Sequence, residues 1–275
     1  MVDSHCHLNF HKFETDVDDV VARAVEAGVT TIVNVGTSLE SSQQAIDFAE
    51  RFENCLAIVG IHPHHSDKVS KNSKFETRNS KQDWLEELAQ MCEHPKVIGI
   101  GEIGMDFFSY KSNGIVDPAV QEKVFRAQIE LSILKKLPLQ IHNRHAGKEV
   151  LRILSDYTPQ LQNPPGVFHC FAGDFDVLKG VLAMGFSIGI DGNSTYPGLA
   201  PGETVELTEI IKRTPLEQIL IETDSPYLTP IPLRGTRNEP KNAIIVGASV
   251  ARIREISETE LDRITTQNFK NIFQI

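Results

Sequence analysis

Short apolar runs alternate with amphipathic stretches along the whole chain. Runs rich in Val, Ile and Leu predict buried strands, and they lie at residues 1–7, 30–36, 56–62, 96–102, 137–143, 166–171, 185–191 and 218–224. Segments with a helical spacing of apolar residues separate them, at 15–27, 40–52, 82–93, 118–136, 145–157, 174–183, 203–213, 242–255 and 258–273. The pattern therefore predicts eight βα units followed by a last helix.

Strands that alternate with helices predict a parallel sheet. Eight units in 275 residues favour a (β/α)8 TIM barrel, an α/β fold, over an open doubly wound sheet. We expect a single domain over residues 1–275, with a polar surface insertion at 66–83. The alternative for this segment is a basic rim formed by Lys68, Lys71, Lys74, Arg78 and Lys81.

Composition and charge narrow the class of protein. No apolar run approaches the roughly 20 residues that span a bilayer, and strand-like sequence begins at Val2 without a leader pattern. We therefore expect a cytoplasmic protein with no membrane association. The four cysteines form no C-x-x-C pair, which predicts reduced thiols. The net charge of −10 argues against a broad basic surface for nucleic acid, so a polyanionic substrate must be met locally.

Residue types that bind metal lie at the ends of the predicted strands. His5 and His7 of VDSHCHL are two residues apart on one strand and share a face. Such a pair alone is more often an exposed strand end or a core histidine whose hydrogen bonds are satisfied. The full set is His5, His7, Glu102, His142, His169 and Asp224. Reactive groups of a (β/α)8 barrel gather at these strand ends. Buried polar groups would each need a partner, and a shared metal site explains all six.

We assign these residues to two divalent ions, as in two-metal hydrolases. The first ion takes His5, His7, Glu102 and Asp224, and the second takes Glu102, His142 and His169. Mixed nitrogen and oxygen ligands suit Zn²⁺ or Mn²⁺, with Mg²⁺ as a further candidate.

The segment GIGEIG (99–104) also fits a dinucleotide-binding fingerprint. That fingerprint should open a helix, whereas the residues that follow, MDFFSYKSNG, predict a loop. We therefore predict no nucleotide cofactor and infer that the glycines let backbone pack closely around Glu102.

Six motifs in order resemble those of the TatD family of metal-dependent deoxyribonucleases, within the amidohydrolase-like barrels. They are VDSHCHLNF, GIHPHH, KVIGIGEIGMDF, LPLQIHNR, GVFHCFAGD and LIETDSPYLTPIPLRGTRNEP. The resemblance covers nearly the whole chain. It implies a hydrolase of phosphodiesters, usually a 3′-to-5′ exonuclease acting on DNA ends or single strands, with metal positions at the same six residues.

The resemblance also suggests residues that contact substrate. His62 and His64 are candidates for the substrate phosphate, and further cations that could bind it are Arg144, Arg234 and Arg237. The last two could instead form a structural clamp with Glu239, since a guanidinium suits either partner.

The chain departs from the family pattern in three places. His145 stands where an acid is common, Pro197 stands where a lysine is common, and the 66–83 segment is enlarged. These departures concern substrate contacts rather than the metal positions.

The leading functional hypothesis is phosphodiester hydrolysis by a hydroxide activated by two metal ions. Asp224 and Glu102 are the catalytic acids, and Asp224 handles the proton of the attacking water. One alternative is an ester or amide hydrolase with the same centre, such as an aminoacyl-tRNA deacylase. Another is a non-catalytic metal-binding interaction module. We expect a monomer or a weak oligomer.

Overall fold

A computed structural model describes residues 1–71, 83–110 and 114–275. Its strands are β1 Val2–Cys6, β2 Thr31–Val35, β3 Cys55–Val59, β4 Val97–Asp106, β5 Leu139–Arg144, β6 Gly166–Phe168, β7 Ser187–Ile190 and β8 Ile219–Ile221. They form one eight-stranded sheet in sequential order, and all neighbouring pairs are parallel. The predicted strand order along the chain is confirmed.

The sheet closes between its first and last strands just beyond their carboxyl ends. A parallel bridge joins Cys6 to Ser225. The amide of His7 donates to the Ser225 carbonyl at 2.7 Å, and the amide of Asp224 donates to the His5 carbonyl at 2.9 Å. The structure is thus the predicted (β/α)8 barrel, and its closure brings the first and last predicted metal-binding segments together.

Helices surround the barrel. They are α1 Val17–Glu26, α2 Leu39–Arg51, α3 Ser66–Lys71, α4 Asp83–Met91, α5 Pro118–Lys135, α6 Gly147–Ser155, α7 Phe175–Ala183, α8 Leu207–Arg213, α9 Ala243–Arg254 and α10 Glu258–Phe273. Apolar residues of these helices pack against the outer face of the sheet. Inside the barrel, Val33, Ile58 and Leu220 pack with Phe269 and Phe273 of α10. The last helix therefore closes the amino-terminal end and leaves the carboxyl ends of the strands open.

The strand ends differ from the sequence-based prediction in ways that shape the site. Strand β4 continues to Asp106, although a loop was expected after Glu102. Strand β8 ends at Ile221, three residues before Asp224, whose φ of +53° is incompatible with extended backbone. The first residues of the 66–83 segment form α3, whereas residues 72–82, which include three cations of the predicted basic rim, lie outside the described residues.

The helices and the cysteines bear on the predictions made from composition. Within the described ranges, no helix combines the length and the apolar character needed to cross a bilayer. The four cysteines are free thiols. Burial raises the pKa of Cys55 and of Cys92 to about 12, which disfavours the reactive thiolate.

Candidate metal centre

The barrel brings all six predicted metal-binding residues together at the carboxyl ends of its strands. His5 lies on β1 and His7 follows it directly, Glu102 lies within β4, and His142 lies within β5. His169 and Asp224 follow β6 and β8. The side chains come from five strands spread along most of the chain, and their contacts divide them into two clusters.

The first cluster contains four ligand atoms with similar separations. His5 Nε2 lies 3.0 Å from His7 Nε2. Asp224 Oδ1 lies 3.6 Å from the His5 nitrogen and 3.5 Å from the His7 nitrogen, and Glu102 Oε2 lies 3.7 Å and 3.6 Å from the same two atoms. Ligands at 2.0–2.1 Å from a tetrahedral zinc ion stand about 3.3 Å apart. The separations of the two nitrogens from each other and from each carboxylate are therefore close to those between ligands of one ion.

The second cluster surrounds the other oxygen of the same glutamate. Glu102 Oε1 lies 2.7 Å from His142 Nδ1, 2.9 Å from His169 Nε2 and 3.3 Å from His62 Nε2. The nitrogens of His142 and His169 are 3.2 Å apart. The carboxylate of Glu102 thus divides its two oxygens between two imidazole clusters.

The hydrogen bonds and surroundings of His5 and His7 decide which ring nitrogens can bind a metal ion. His7 Nδ1 lies 2.9 Å from the Val35 carbonyl oxygen, which can only accept, so Nδ1 carries the hydrogen and the lone pair of neutral His7 is on Nε2. That lone pair points to His5 Nε2. Burial, together with the charges of His169 and His7, lowers the pKa of His5 well below its usual value. Burial lowers the pKa of His7, but its hydrogen bond to Asp224 and the charges of Glu102 and Asp224 outweigh burial and raise the pKa. At 3.0 Å the two Nε2 atoms can share a proton or bind a common cation, and the two carboxylates beside them fit a metal ion.

The charge state of Glu102 fits the same conclusion. Burial alone raises the pKa of this carboxyl, but the imidazoles of His169 and His62 outweigh it and hold the pKa well below its usual range. The side chain is therefore an ionised carboxylate in a buried position, which requires cationic partners.

Close packing of the backbone makes room for Glu102. A Cβ atom on Gly101 would lie 2.7 Å from Cβ of Gln140 on β5, a separation that real side chains do not adopt. This contact agrees with the inference that glycines of β4 allow neighbouring strands to approach here. The next inward positions after Glu102 are Gly104 and Asp106, because side chains alternate along a strand.

Asp224 is held in a left-handed conformation by a buried network behind it. Asp3 Oδ1 accepts from the Thr223 amide at 2.9 Å, and Asp3 Oδ2 accepts from Thr223 Oγ1 at 2.7 Å. The hydroxyls of Thr223 and Ser225 are 2.7 Å apart. Backbone in this region costs energy for a residue other than glycine and persists only where surrounding contacts enforce it. The network thus aims the Asp224 carboxylate at the first cluster.

Asp106 belongs to the site but was missed by the sequence analysis. It is fully buried, and its Oδ2 lies 3.0 Å from His142 Nε2 and 3.1 Å from His64 Nε2. Burial raises its pKa, but hydrogen bonds from His142 and His64 outweigh it and lower the pKa. A carboxylate on the outer nitrogen orients an imidazole ligand, here with Nδ1 of His142 toward Glu102. The available signal was the spacing of four residues from Glu102 on one strand.

Glu222 is a second carboxylate that the sequence analysis did not assign to the site. It is fully buried, its Oε1 accepts from the Cys170 amide at 2.5 Å, and the same oxygen lies 3.7 Å from His169 Nδ1. Its position two residues before Asp224 was the signal available. Glu222 lies behind His169, as Asp106 lies behind His142.

The predicted substrate-binding residues fall in different surroundings. His62 and His64 lie in the centre, on Glu102 and Asp106 as described above. Arg144 donates to the Tyr110 hydroxyl at 2.7 Å and its guanidinium carbon lies 3.9 Å from the Phe108 ring centroid. It forms no ion pair with a described residue. This cation is therefore available to an anionic group at the mouth of the barrel.

The two later arginines lie away from the clusters. Arg237 donates to both carboxylate oxygens of Asp16, at 2.8 Å and 2.6 Å, and to Glu239 at 3.2 Å. These contacts match the structural clamp, and substrate binding by Arg237 stays a prediction. The guanidinium of Arg234 lies 4.2 Å over the ring of Tyr196, and its predicted role in substrate binding also remains to be tested.

Comparisons with known proteins agree with this geometry. A family model described as TatD related DNase matches residues 2–274. The chain is 33% identical over 275 residues to an uncharacterized metal-dependent hydrolase, YabD, of Bacillus subtilis, covering 100% of this chain and 99% of the relative. It is 34% identical over 280 residues to the 3′-5′ ssDNA/RNA exonuclease TatD of Erwinia billingiae, covering 100% and 99%.

A solved structure is also similar over the whole chain. The crystal structure of YJJV, a TatD homologue from Escherichia coli K12, superposes with a TM-score of 0.86 at 27% identity, covering 100% of this chain and 98% of the other. The fold, the two imidazole clusters and the match to the family model all indicate the same family. The chain therefore belongs to the family of TatD-related DNases and is a metal-dependent hydrolase.

Proposed function

We propose that this protein hydrolyses the phosphodiester bonds of single-stranded DNA or RNA from the 3′ end, using two divalent ions drawn from Zn²⁺, Mn²⁺ and Mg²⁺. The observation that carries the proposal is the carboxylate of Glu102, whose two oxygens face two separate imidazole clusters. Two ions held by a shared ligand clamp the attacking and leaving oxygens of a displacement at phosphorus. Relatives named as 3′-5′ ssDNA/RNA exonucleases support this substrate class.

The six predicted residues would hold the metals in two groups, which follow the two clusters described above. His5, His7 and Asp224 face one oxygen of Glu102, and His142 and His169 face the other. Divalent ions bound there would polarise the phosphate and lower the pKa of a water molecule so that it attacks as hydroxide. Asp106 and Glu222 would keep the imidazoles oriented.

Asp224 is the residue best placed to accept the proton of the attacking water. Its side chain is 15% exposed, whereas that of Glu102 is 5% exposed, so Asp224 faces the open mouth where water enters. The network of Asp3 and Thr223 fixes its direction. A general base must lie within hydrogen-bonding reach of the proton that it removes. The backbone conformation of Asp224 directs its carboxylate toward the place where a water molecule would bind.

Arg144 is the proposed contact for a substrate phosphate. Its guanidinium is stacked on Phe108, bonded to Tyr110 and free of ion pairs with described residues, and Tyr110 in turn donates to Asp106 at 3.2 Å. Guanidinium groups bind phosphate in a bidentate manner. With a net charge of −10, the chain must bind a polyanion through such local contacts together with the metals. We propose one catalytic domain over residues 1–275, active as a monomer or weak oligomer.

The test is hydrolysis by the metal-loaded protein of 5′-labelled single-stranded DNA, 5′-labelled RNA and an aminoacyl-tRNA. We expect a ladder of products shortened from the 3′ end on the two single strands. A 3′-terminal phosphorothioate linkage, which resists cleavage, should block the ladder. Release of the amino acid with the nucleic acid left intact would instead establish a deacylase, and internal cuts despite the blocked end would establish an endonuclease.

A further inference from the structure

A row of aromatic rings leads from a predicted metal ligand to the protein surface. The ring of Phe10 stacks on that of His7, with centroids 4.6 Å apart and an angle of 9° between the planes. The ring of Tyr227 meets Phe10 edge-on at 6.4 Å and 72°. Tyr227 is 46% exposed, so the row begins in the metal centre and ends in solvent.

The backbone holds Tyr227 firmly relative to Asp224. The amide of Tyr227 donates to the Asp224 carbonyl at 2.8 Å, and Asn238 Nδ2 donates to the Tyr227 carbonyl at 2.6 Å. Asn238 is fully buried. The position of this exposed ring is therefore set by the same turn that aims the Asp224 carboxylate.

A flexible cation lies against the ring of Tyr227. Lys12 Nζ is 4.8 Å from the ring centroid, and the Lys12 side chain is exposed. Its ammonium group is accessible to an anionic ligand. Phe108 differs, because the guanidinium of Arg144 covers its ring at 3.9 Å. Tyr227 thus offers an aromatic face that a planar group can occupy.

An accessible ring beside a cation is the pair of features with which proteins bind single-stranded nucleic acids. We propose that Tyr227 stacks on the nucleobase of a nucleotide that flanks the scissile phosphate, while Lys12 pairs with an adjoining phosphate. This inference rests on the proposed function and specifies how its substrate is held. Stacking uses the flat face that every base has, so the site tolerates any sequence.

The experiment compares Tyr227→Ala and Tyr227→Phe with the wild type, each loaded with metal. Stacking of a base on an aromatic ring corresponds to about a 5- to 150-fold change in affinity. We expect Tyr227→Ala to raise KM for single-stranded DNA by a factor in that range with little change in kcat, because stacking is equal in the ground and transition states. Tyr227→Phe should keep the wild-type KM.

Substrates that lack one base separate stacking from a structural effect. Two DNA strands carry an abasic residue, at the last or the next-to-last position. On one of them the wild type and Tyr227→Ala should have the same KM, because there is no base to stack. A matched control is Tyr157→Ala, which removes a ring 5.7 Å from Arg126 in the segment between α6 and β6, at the opposite end of the barrel. It should behave as wild type on every strand.

The outcomes distinguish this inference from the proposed function. Failure of the wild type on all strands would refute the proposed function itself. Hydrolysis by the wild type with an unchanged KM in Tyr227→Ala would refute only the stacking site. An equal loss on the intact strand and on both abasic strands would also refute it, since the tyrosine would then act by maintaining the structure; the metal content of the variant reports that effect directly.

Discussion

Substitution of Asp106 by Asn tests how the second imidazole cluster is positioned. The carboxylate lies 3.0 Å from His142 Nε2 and accepts from the Tyr110 hydroxyl at 3.2 Å, while its other oxygen accepts from the Phe108 amide at 2.8 Å. Asparagine keeps the size but offers only one acceptor oxygen. In the wild type the carboxylate keeps a hydrogen on Nε2 of His142, and the lone pair on Nδ1 is then available to bind metal. When the amide nitrogen of asparagine faces His142, this hydrogen-bond acceptor is lost.

The expected loss of metal affinity can be taken from other metal sites in which a carboxylate contacts an imidazole ligand. Loss of such a partner reduces metal affinity or activity by about 10- to 100-fold, which corresponds to roughly 1.4–2.7 kcal/mol. We expect a loss in this range for Asp106→Asn, confined to metal bound at the second cluster. The first cluster should keep its affinity, because Asp106 does not contact His5 or His7.

The assay is a titration of metal-free protein with Mn²⁺, followed by both metal content and hydrolysis of single-stranded DNA. The matched control is Asp18→Asn, which breaks an exposed ion pair with Arg51 and should change neither quantity. Wild-type affinity at both sites together with wild-type activity in Asp106→Asn would show that His142 is oriented without this carboxylate.

Four further predictions follow from the site. Chelation should abolish hydrolysis and Mn²⁺, Mg²⁺ or Zn²⁺ should restore it; full activity with chelator present would contradict a metal-activated nucleophile. Asp224→Asn should lower kcat by about 10²–10⁴-fold at saturating metal because the amide cannot accept a proton, and rescue by excess metal would reduce Asp224 to a ligand. The logarithm of the binding constant should fall with the logarithm of salt concentration with a slope for only about two to four phosphates, near −0.7 each; a much steeper slope would indicate a broad basic surface. Arg237→Ala should cost about 1 kcal/mol of stability in denaturant unfolding, since it joins a partly exposed ion-pair network, with KM unchanged; an increased KM would support substrate binding instead.

Much of the fold and the centre could be predicted from local patterns. Eight apolar runs separated by amphipathic segments predict a (β/α)8 barrel, because each strand must be covered by a helix. The alternation of side chains along a strand placed His5 and His7 on one face, and the general position of reactive groups in such barrels placed the other four ligands beside them. The family resemblance selected the same six positions independently.

Strand ends were harder to predict, and Asp106 was missed for that reason. The residues after Glu102 lack a strong strand pattern, yet β4 continues to Asp106 because it pairs with β5 as far as Arg144. Pairing with a neighbouring strand is a nonlocal contact, so no local signal shows how far it extends. Once the strand is seen to continue, the four-residue spacing explains why Asp106 points into the site.

The sequence by itself determined which residues of a strand share a face, because this depends on a two-residue period that is local. Only the tertiary structure decided that Glu102 divides its oxygens between two imidazole clusters and that His7, Phe10 and Tyr227 form one row of rings. The row of rings requires β1 to lie beside β8, and the position of Glu102 requires in addition that β4 lie beside β5. That arrangement depends on closure of the barrel, which joins segments more than 200 residues apart.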